Sequence, residues 1–86
     1  MEVFFTPNFI KQIGALEKDL QIEAIEKIEL FSDEKNHKQL KVHKLKGRLK
    51  GRWSFSVNYK TRIVFKYMSK NSAVLLAVGD HDIYKR

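Results

Sequence analysis

The chain has 86 residues, of which 43% are hydrophobic, and its net charge is +7. This length suffices for one small domain, residues 1–86, with a thin core. The absence of cysteine excludes a disulfide scaffold, a Cys-ligated zinc site and a thiol nucleophile. No apolar run approaches the ~20 residues that span a bilayer, and the N-terminal residues do not read as a signal peptide. The composition therefore predicts a soluble cytoplasmic domain that has no membrane partner.

The charged residues are segregated along the chain. Residues 1–34 contain three lysines and eight acidic residues, whereas residues 35–79 contain twelve Lys or Arg and no Asp or Glu. Residues 80–86 are neutral overall. This segregation predicts one basic surface, which suits a polyanionic partner such as a nucleic acid.

The first elements are a short strand and a helix. Val3–Phe5 reads as the strand, and Thr6 and Pro7 are typical of the start of a helix because Thr caps well and Pro fits the first turn. Gly14 predicts either a close contact between helices or a break in the helix. The apolar residues of this stretch recur at helical spacing: Phe9, Ile13, Leu16 and Leu20.

A second helix is predicted over about residues 19–32. Glu23 and Lys27 are spaced as a favourable i,i+4 ion pair. One side of this helix is apolar, with Leu20, Ala24, Ile28 and Phe31. The two helices are therefore expected to form a hairpin that packs on a sheet.

The second half of the chain predicts three strands after a basic, glycine-punctuated segment, residues 40–52. Apolar and polar residues alternate over 53–59 and again over 62–67, which is typical of a half-buried hairpin. Residues 73–78 are continuously apolar, as in a strand at the centre of a sheet. The predicted order is β-α-α-β-β-β, an α+β fold in which a mainly antiparallel sheet carries the helical hairpin on one face.

The alternation also assigns the two faces of the sheet. The apolar positions are predicted to face the helices: Trp53, Phe55, Val57, Ile63 and Phe65. The intervening positions are predicted to form an open, polar and cationic face: Ser54, Ser56, Asn58, Arg62 and Lys66. That face is about the size of a few nucleotides.

The reactive residue types are Arg, His and Tyr, and the sequence contains no nucleotide-binding loop and no metal-ligand spacing. We therefore expect no metal and no other cofactor. Such residues cleave RNA without metal, because the ribose 2′-OH is the nucleophile and the protein needs only a base, an acid and a cation. Arg62 is the strongest candidate, and His43, His81 and Tyr84 are further catalytic candidates. Non-specific phosphate contacts are predicted for Lys41, Lys44, Lys46, Arg48, Lys50 and Arg52, and the alternatives for this series are a solvated basic loop or a docking surface for an acidic protein. Lys66 is a further predicted RNA-binding residue.

Four segments resemble one family in their order and spacing. They are His43-Lys44-Leu45-Lys46-Gly47, the stretch Leu49 to Ser54, Arg62-Ile63-Val64-Phe65, and the stretch Leu76 to Tyr84. Following a two-helix N-terminal half, they resemble the RelE/ParE superfamily of toxins from type II toxin–antitoxin systems. The resemblance implies a compact antiparallel sheet with a helical hairpin on one side.

The resemblance implies one of two activities. RelE-like toxins are mRNA interferases that cut mRNA in the ribosomal A site by 2′-OH attack, whereas ParE-like toxins inhibit DNA gyrase. In the first case it implies that Arg62 binds the scissile phosphate and that His81 and Tyr84 occupy the positions of the C-terminal acid and base residues. Our working assignment is Tyr84 or His43 as the base and His81 as the acid. Ser54 and Ser56 stand where some of these nucleases carry lysines, and the candidates to compensate are Lys44, Lys50, Arg52 and Lys66.

The sequence therefore predicts a toxin that is a ribosome-dependent, metal-independent endoribonuclease and inhibits translation. The implied partners are a cognate antitoxin, the ribosome with its 16S rRNA, mRNA, and operator DNA bound by the toxin–antitoxin hetero-oligomer. The alternatives are a gyrase inhibitor that is not a nuclease and a catalytically inactive remnant that binds RNA or an antitoxin.

Overall fold

The computed structural model describes residues 1–47 and 51–80. The described elements are β1 (Glu2–Phe5), α1 (Pro7–Gly14), α2 (Lys18–Phe31), a 3-10 turn (Glu34–Asn36), β2 (His43–Lys44), β3 (Trp53–Ser56), β4 (Arg62–Ser69) and β5 (Ser72–Gly79). The five described strands form one sheet in the order β1-β5-β4-β3-β2. The predicted α+β order is confirmed, with the short strand β2 as an addition.

Strand β5 lies inside the sheet, as its continuous apolar sequence predicted. On one side it pairs antiparallel with β4, and on the other it pairs parallel with β1, where Val3 lies opposite Ala73. The β3–β4 and β2–β3 pairs are antiparallel. The sheet is thus mainly antiparallel, and the one parallel pair joins the first strand to the last described strand.

Helix α1 begins as the sequence predicted and ends earlier. The Thr6 side chain caps it, since Oγ1 accepts a hydrogen bond from the Phe9 N–H at 3.0 Å. The helix ends at Gly14, and a side chain there would meet no atom within 4 Å. The expected close helix contact is therefore wrong and the break is correct, which places Leu20 on α2. Neither helix in the described part of the chain is long and apolar enough to cross a membrane.

Polar side chains of α1 cover the edge of β5 beyond the end of β1. The β1–β5 register ends where Phe5 lies opposite Leu75. Past that point, Asn8 Nδ2 donates to the Leu76 carbonyl at 3.1 Å and Gln12 Oε1 accepts from the Val78 N–H at 2.9 Å. Two side chains thus take the place of a neighbouring strand, which satisfies an otherwise open sheet edge.

The core lies between the helices and the sheet and is centred on Phe31. This side chain is fully buried and its ring packs 4.4 Å from Phe55 and 4.6 Å from Phe65, measured between ring centroids. The His37 ring stacks on Phe31 at 4.8 Å, and its Nε2 lies 2.8 Å from the Phe31 carbonyl, so this histidine is structural. The other buried members of the core are Phe9, Ala24, Leu40, Val57, Ile63, Ala73, Leu75 and Val78.

The predicted open face of the sheet is covered at its centre. The strand registers place His43, Ser54, Val64 and Ala77 in one row on that face. Ser54 is 0% exposed and its neighbour Val64 is 5% exposed, so the prediction of an open surface is wrong at Ser54. Alternation reports on which side of a strand a residue points, but it does not report whether another part of the chain covers that side.

Candidate functional site

Arg62 is the first residue of β4 and its guanidinium is held by the backbone of the preceding turn. Nη1 donates hydrogen bonds to the carbonyls of Asn58 and Thr61. Both of these bonds use Nη1, and the planar fork carries further donors on Nε and Nη2. Because the guanidinium is anchored and remains charged, it is suited to binding a phosphate in a fixed orientation.

The turn between β3 and β4 is closed by Asn58. Its Oδ1 accepts from the N–H groups of Lys60 at 2.9 Å and Thr61 at 2.8 Å, an Asx-type turn. Its Nδ2 donates to Glu23 Oε1 on α2 at 2.9 Å. The prediction that Asn58 lies on the open face is therefore wrong, because β3 ends at Ser56 and the turn directs Asn58 toward the helix.

The segment before β2 brings a second cation next to Arg62. Leu40 is 2% exposed and anchors this segment, and its carbonyl accepts from the Ser56 N–H at 2.8 Å. Ser56 in turn lies opposite Arg62 in the β3–β4 register. The next residue, Lys41, has a left-handed backbone with φ of 58°, which costs a non-glycine residue about 1 kcal/mol. The fold thus holds Lys41 beside Ser56 in a strained but well-determined position.

These elements line an open cavity of about 250 Å³. Within the described part of the chain its charged lining residues are Lys27 of α2, Lys41 and Arg62, and the nearby Glu23 carboxylate accepts from the lining residue Asn58. Three lining cations create a positive potential that favours an anionic ligand. The buried side chains of Leu40 and Val57 complete part of the wall.

Lys27 was not among the predicted site residues, although the sequence carries a signal for it. It follows the buried Ala24 by three residues and precedes the buried Phe31 by four, so it lies on the inward side of α2. The predicted Glu23–Lys27 ion pair is not present among the described residues, where the ion pair that forms joins Lys35 and Asp33. Glu23 bonds to Asn58 instead, and Lys27 lines the cavity.

His43 is exposed on β2 and its tautomer is set by one hydrogen bond. Its Nδ1 lies 2.8 Å from the Lys41 carbonyl oxygen. Because a carbonyl only accepts, Nδ1 carries the proton, and Nε2 of the neutral ring keeps its lone pair to act as a base. In the strand register, His43 and Arg62 are separated by two strand spacings across the sheet and by two residues along it. Their Cα atoms are therefore roughly 12 Å apart.

The remaining predicted residues are dispersed around this centre. Lys44, Lys46 and Lys66 are exposed and Arg52 is half-buried. Lys66 shares the face of Arg62, about 13 Å along β4, whereas Lys44 lies opposite Trp53 and so belongs to the helix side of the sheet edge. Four predicted residues lie outside the described part of the chain: Arg48, Lys50, His81 and Tyr84. Residues 1–47 and 51–80 contain no cluster of His, Cys, Asp or Glu that could hold a metal ion.

Comparison with known proteins identifies the fold. No protein-family model matches the chain, and no curated protein matches it in sequence. Solved structures do match. A chain of the RelBE2 toxin–antitoxin complex from Mycobacterium tuberculosis has a TM-score of 0.71 at 17% identity, with 93% of this chain and 96% of that chain covered.

Two further solved structures match this chain to a similar extent. A chain of the YoeB–YefM complex from Staphylococcus aureus has a TM-score of 0.71 at 19% identity, covering 94% of this chain and 97% of that chain. YafQ from Escherichia coli has a TM-score of 0.70 at 12% identity, covering 95% of this chain and 94% of that chain. These matches run over nearly the whole length of each chain. The chain therefore has the RelE-like toxin fold that its sequence predicted.

Proposed function

We propose that this chain is the toxin of a type II toxin–antitoxin system and that it cleaves mRNA on the ribosome, so that translation stops. The observation that carries the proposal is Arg62, whose guanidinium is fixed by two backbone carbonyls at a cavity whose charged lining residues, within the described part of the chain, are all cations. The fold supports the toxin role, which the gyrase-directed alternative shares. The arginine anchored at an anion site is what favours the nuclease over that alternative.

The proposed reaction uses the nucleophile of the substrate. A base removes the proton of the ribose 2′-OH, and the oxygen attacks the adjacent phosphorus to form a 2′,3′-cyclic phosphate. The bond to the 5′ oxygen breaks, and an acid protonates that oxygen as it leaves. Arg62 stabilises the extra negative charge on the phosphorane. His43 Nε2 or Tyr84 is the proposed base and His81 the proposed acid.

We propose partners from charge and from the fold. The twelve basic residues of positions 35–79 suit 16S rRNA and mRNA in the ribosomal A site. The neighbours from Mycobacterium tuberculosis and Staphylococcus aureus are toxin–antitoxin complexes. A cognate antitoxin is accordingly proposed here, in a hetero-oligomer that binds operator DNA in the cytoplasm.

The test is induced expression in a bacterial host, followed by primer extension on an abundant translated mRNA. Wild type is compared with Arg62→Ala and with Lys70→Ala, an exposed cation in the turn at the far end of β4. We expect cuts within translated codons for wild type and Lys70→Ala, and a loss of at least 100-fold for Arg62→Ala, the order found on removing one stabiliser of transition-state charge.

Two outcomes contradict the proposal. Growth arrest with intact mRNA indicates the gyrase-directed alternative, and gyrase supercoiling would then be assayed. The observation that motivates this alternative is that Ser54 and Ser56 occupy positions where some nucleases of the family carry lysines. Absence of both arrest and cutting indicates an inactive binding remnant.

A further inference from the structure

We infer that the cavity beside Arg62 is a nucleotide subsite, in which Lys27 and Lys41 bind an RNA phosphate and Tyr59 stacks on the adjoining base. The choice of RNA rests on the proposed function. The subsite itself rests on the placement of these three residues around one open cavity of about 250 Å³.

Lys27 is a cation turned toward the cavity. It lies on the inward side of α2 and is half-buried, unlike the acidic residues on the outer side of this helix such as Glu26 and Glu29. The carboxylate one turn earlier, Glu23, is engaged by Asn58 Nδ2. An ammonium in this position keeps its charge available for a ligand while its stem packs against the helix.

Lys41 occupies a backbone conformation that glycine would adopt with less strain. Its N–H donates to the Lys38 carbonyl at 3.1 Å, and its carbonyl contacts His43 Nδ1 at 2.8 Å, so the surrounding bonds determine the turn. A strained residue that persists at the wall of a cationic cavity is typical of a ligand contact. The side chain of lysine, absent from glycine, is the feature that such a contact would use.

Tyr59 is an exposed aromatic ring at the cavity rim. It is 80% exposed in the turn that Asn58 closes, and it lines the same cavity as the two lysines. Exposed aromatic rings beside a basic groove are the common platform for stacking of single-stranded bases. A phosphate held by the lysines would place the next base within reach of this ring.

The subsite accounts for the serines at positions 54 and 56. Ser54 is fully buried, so its position offers nothing to a ligand in this fold. Ser56 lies opposite Arg62 in the β3–β4 register. The Ser56 N–H donates to the carbonyl of Leu40, and Lys41 is the next residue in the chain. The positive charge that lysines on β3 would supply is thus provided by α2 and by the segment before β2.

The binding test uses the full chain and a fluorescein-labelled, ten-nucleotide single-stranded RNA that carries 2′-O-methyl groups throughout. This probe has no free 2′-OH and is not cleaved, so binding is measured apart from cleavage. Fluorescence anisotropy over a salt series compares wild type with the double variant Lys27→Gln/Lys41→Gln. The control is Lys11→Gln/Lys70→Gln, which removes the same charge from α1 and from the β4–β5 turn.

Because the two lysines share one phosphate, we expect the slope of log K against log salt to decrease in magnitude by about 0.7 in Lys27→Gln/Lys41→Gln and to stay unchanged in the control. Tyr59→Phe should bind as wild type does, whereas Tyr59→Leu should bind at least about 5-fold more weakly. Lys41→Gly should weaken binding while the thermal midpoint stays equal or rises, which separates loss of the ammonium from loss of the fold.

The inference is overturned if wild type does not bind the probe, or if both double variants lose the same slope. It is also overturned if Tyr59→Leu binds as Tyr59→Phe does. If wild type binds through these residues but cuts no mRNA in cells, the proposed function fails and the nucleotide subsite stands.

Discussion

The bond between Asn58 and Glu23 joins α2 to the turn that begins β4 at Arg62. The informative substitution is Asn58→Asp. It keeps an oxygen to accept from the N–H groups of Lys60 and Thr61, now at 2.9 and 2.8 Å. It replaces the donor Nδ2 with an oxygen that faces the Glu23 carboxylate across 2.9 Å.

The magnitude follows from two contributions. Loss of a hydrogen bond to a charged acceptor costs about 1.5–3 kcal/mol. Two carboxylates about 3 Å apart repel by about 1.4 kcal/mol even at the dielectric constant of water. Stronger bonds from the two N–H groups to a charged oxygen, together with rotation of the side chains, offset part of this sum. We expect Asn58→Asp to lower the free energy of unfolding by about 2 kcal/mol, a large share of the roughly 4–13 kcal/mol typical of a domain of this size.

The assay is urea unfolding of a double-mutant cycle. Glu23→Gln alone keeps an acceptor for Asn58 and should cost less than about 1 kcal/mol. In Asn58→Asp/Glu23→Gln, the Gln Nε2 donates to the Asp, so the double variant should be more stable than Asn58→Asp alone by at least about 1.5 kcal/mol. If the two effects add within about 0.5 kcal/mol, the two residues are uncoupled and this account of the turn is refuted.

Two further predictions concern the helix cap and alkaline stability. Thr6→Val removes the bond that the Phe9 N–H donates to Oγ1 and the bond that Oγ1 donates to the Leu75 carbonyl, so the thermal midpoint should fall by about 4–12 °C. Thr6→Ser retains the hydroxyl and should lie close to wild type, and equal losses in both variants would exclude the cap as the cause. The pKa of Tyr67 is raised from 10.0 by burial and, secondarily, by the charge of Glu34, so its contribution to stability is present below pH 10 and is lost as pH rises through the higher folded value. Urea midpoints measured from pH 8 to 11 should therefore fall more steeply for wild type than for Tyr67→Phe, and parallel profiles would contradict this.

The sequence predicted the elements well where local patterns determine them. Thr6 and Pro7 marked the start of α1, and the unbroken apolar run ending at Val78 marked a strand inside the sheet. A helix cap and a strand buried on both faces each leave a pattern in a few consecutive residues, so both can be predicted from the local sequence. Parallel pairing of β1 with β5 was not predicted, because it joins residues about 70 positions apart.

The site was predicted less completely than the fold. Arg62 and His43 were chosen by chemistry, and the structure gives each a defined orientation. Lys27 was missed because it was assigned to a helical ion pair, and only the packing of α2 against the β3–β4 turn brings it to Arg62. Burial of Ser54 and the inward turn of Asn58 likewise depend on tertiary contacts that a period of two does not encode.

The parallel pairing of β1 with β5 also has a consequence for the timing of folding during synthesis. Glu2–Phe5 is made first, but its partners, residues 72–75, are made about 70 residues later. At about 5–20 residues per second this is a wait of roughly 4–14 s. Strand β4, which carries Arg62, also needs β5 as its neighbour. Long-range pairing of this kind forms slowly. The sheet is therefore completed only after β5 has been made, and until then both β1 and β4 lack the strand that lies between them.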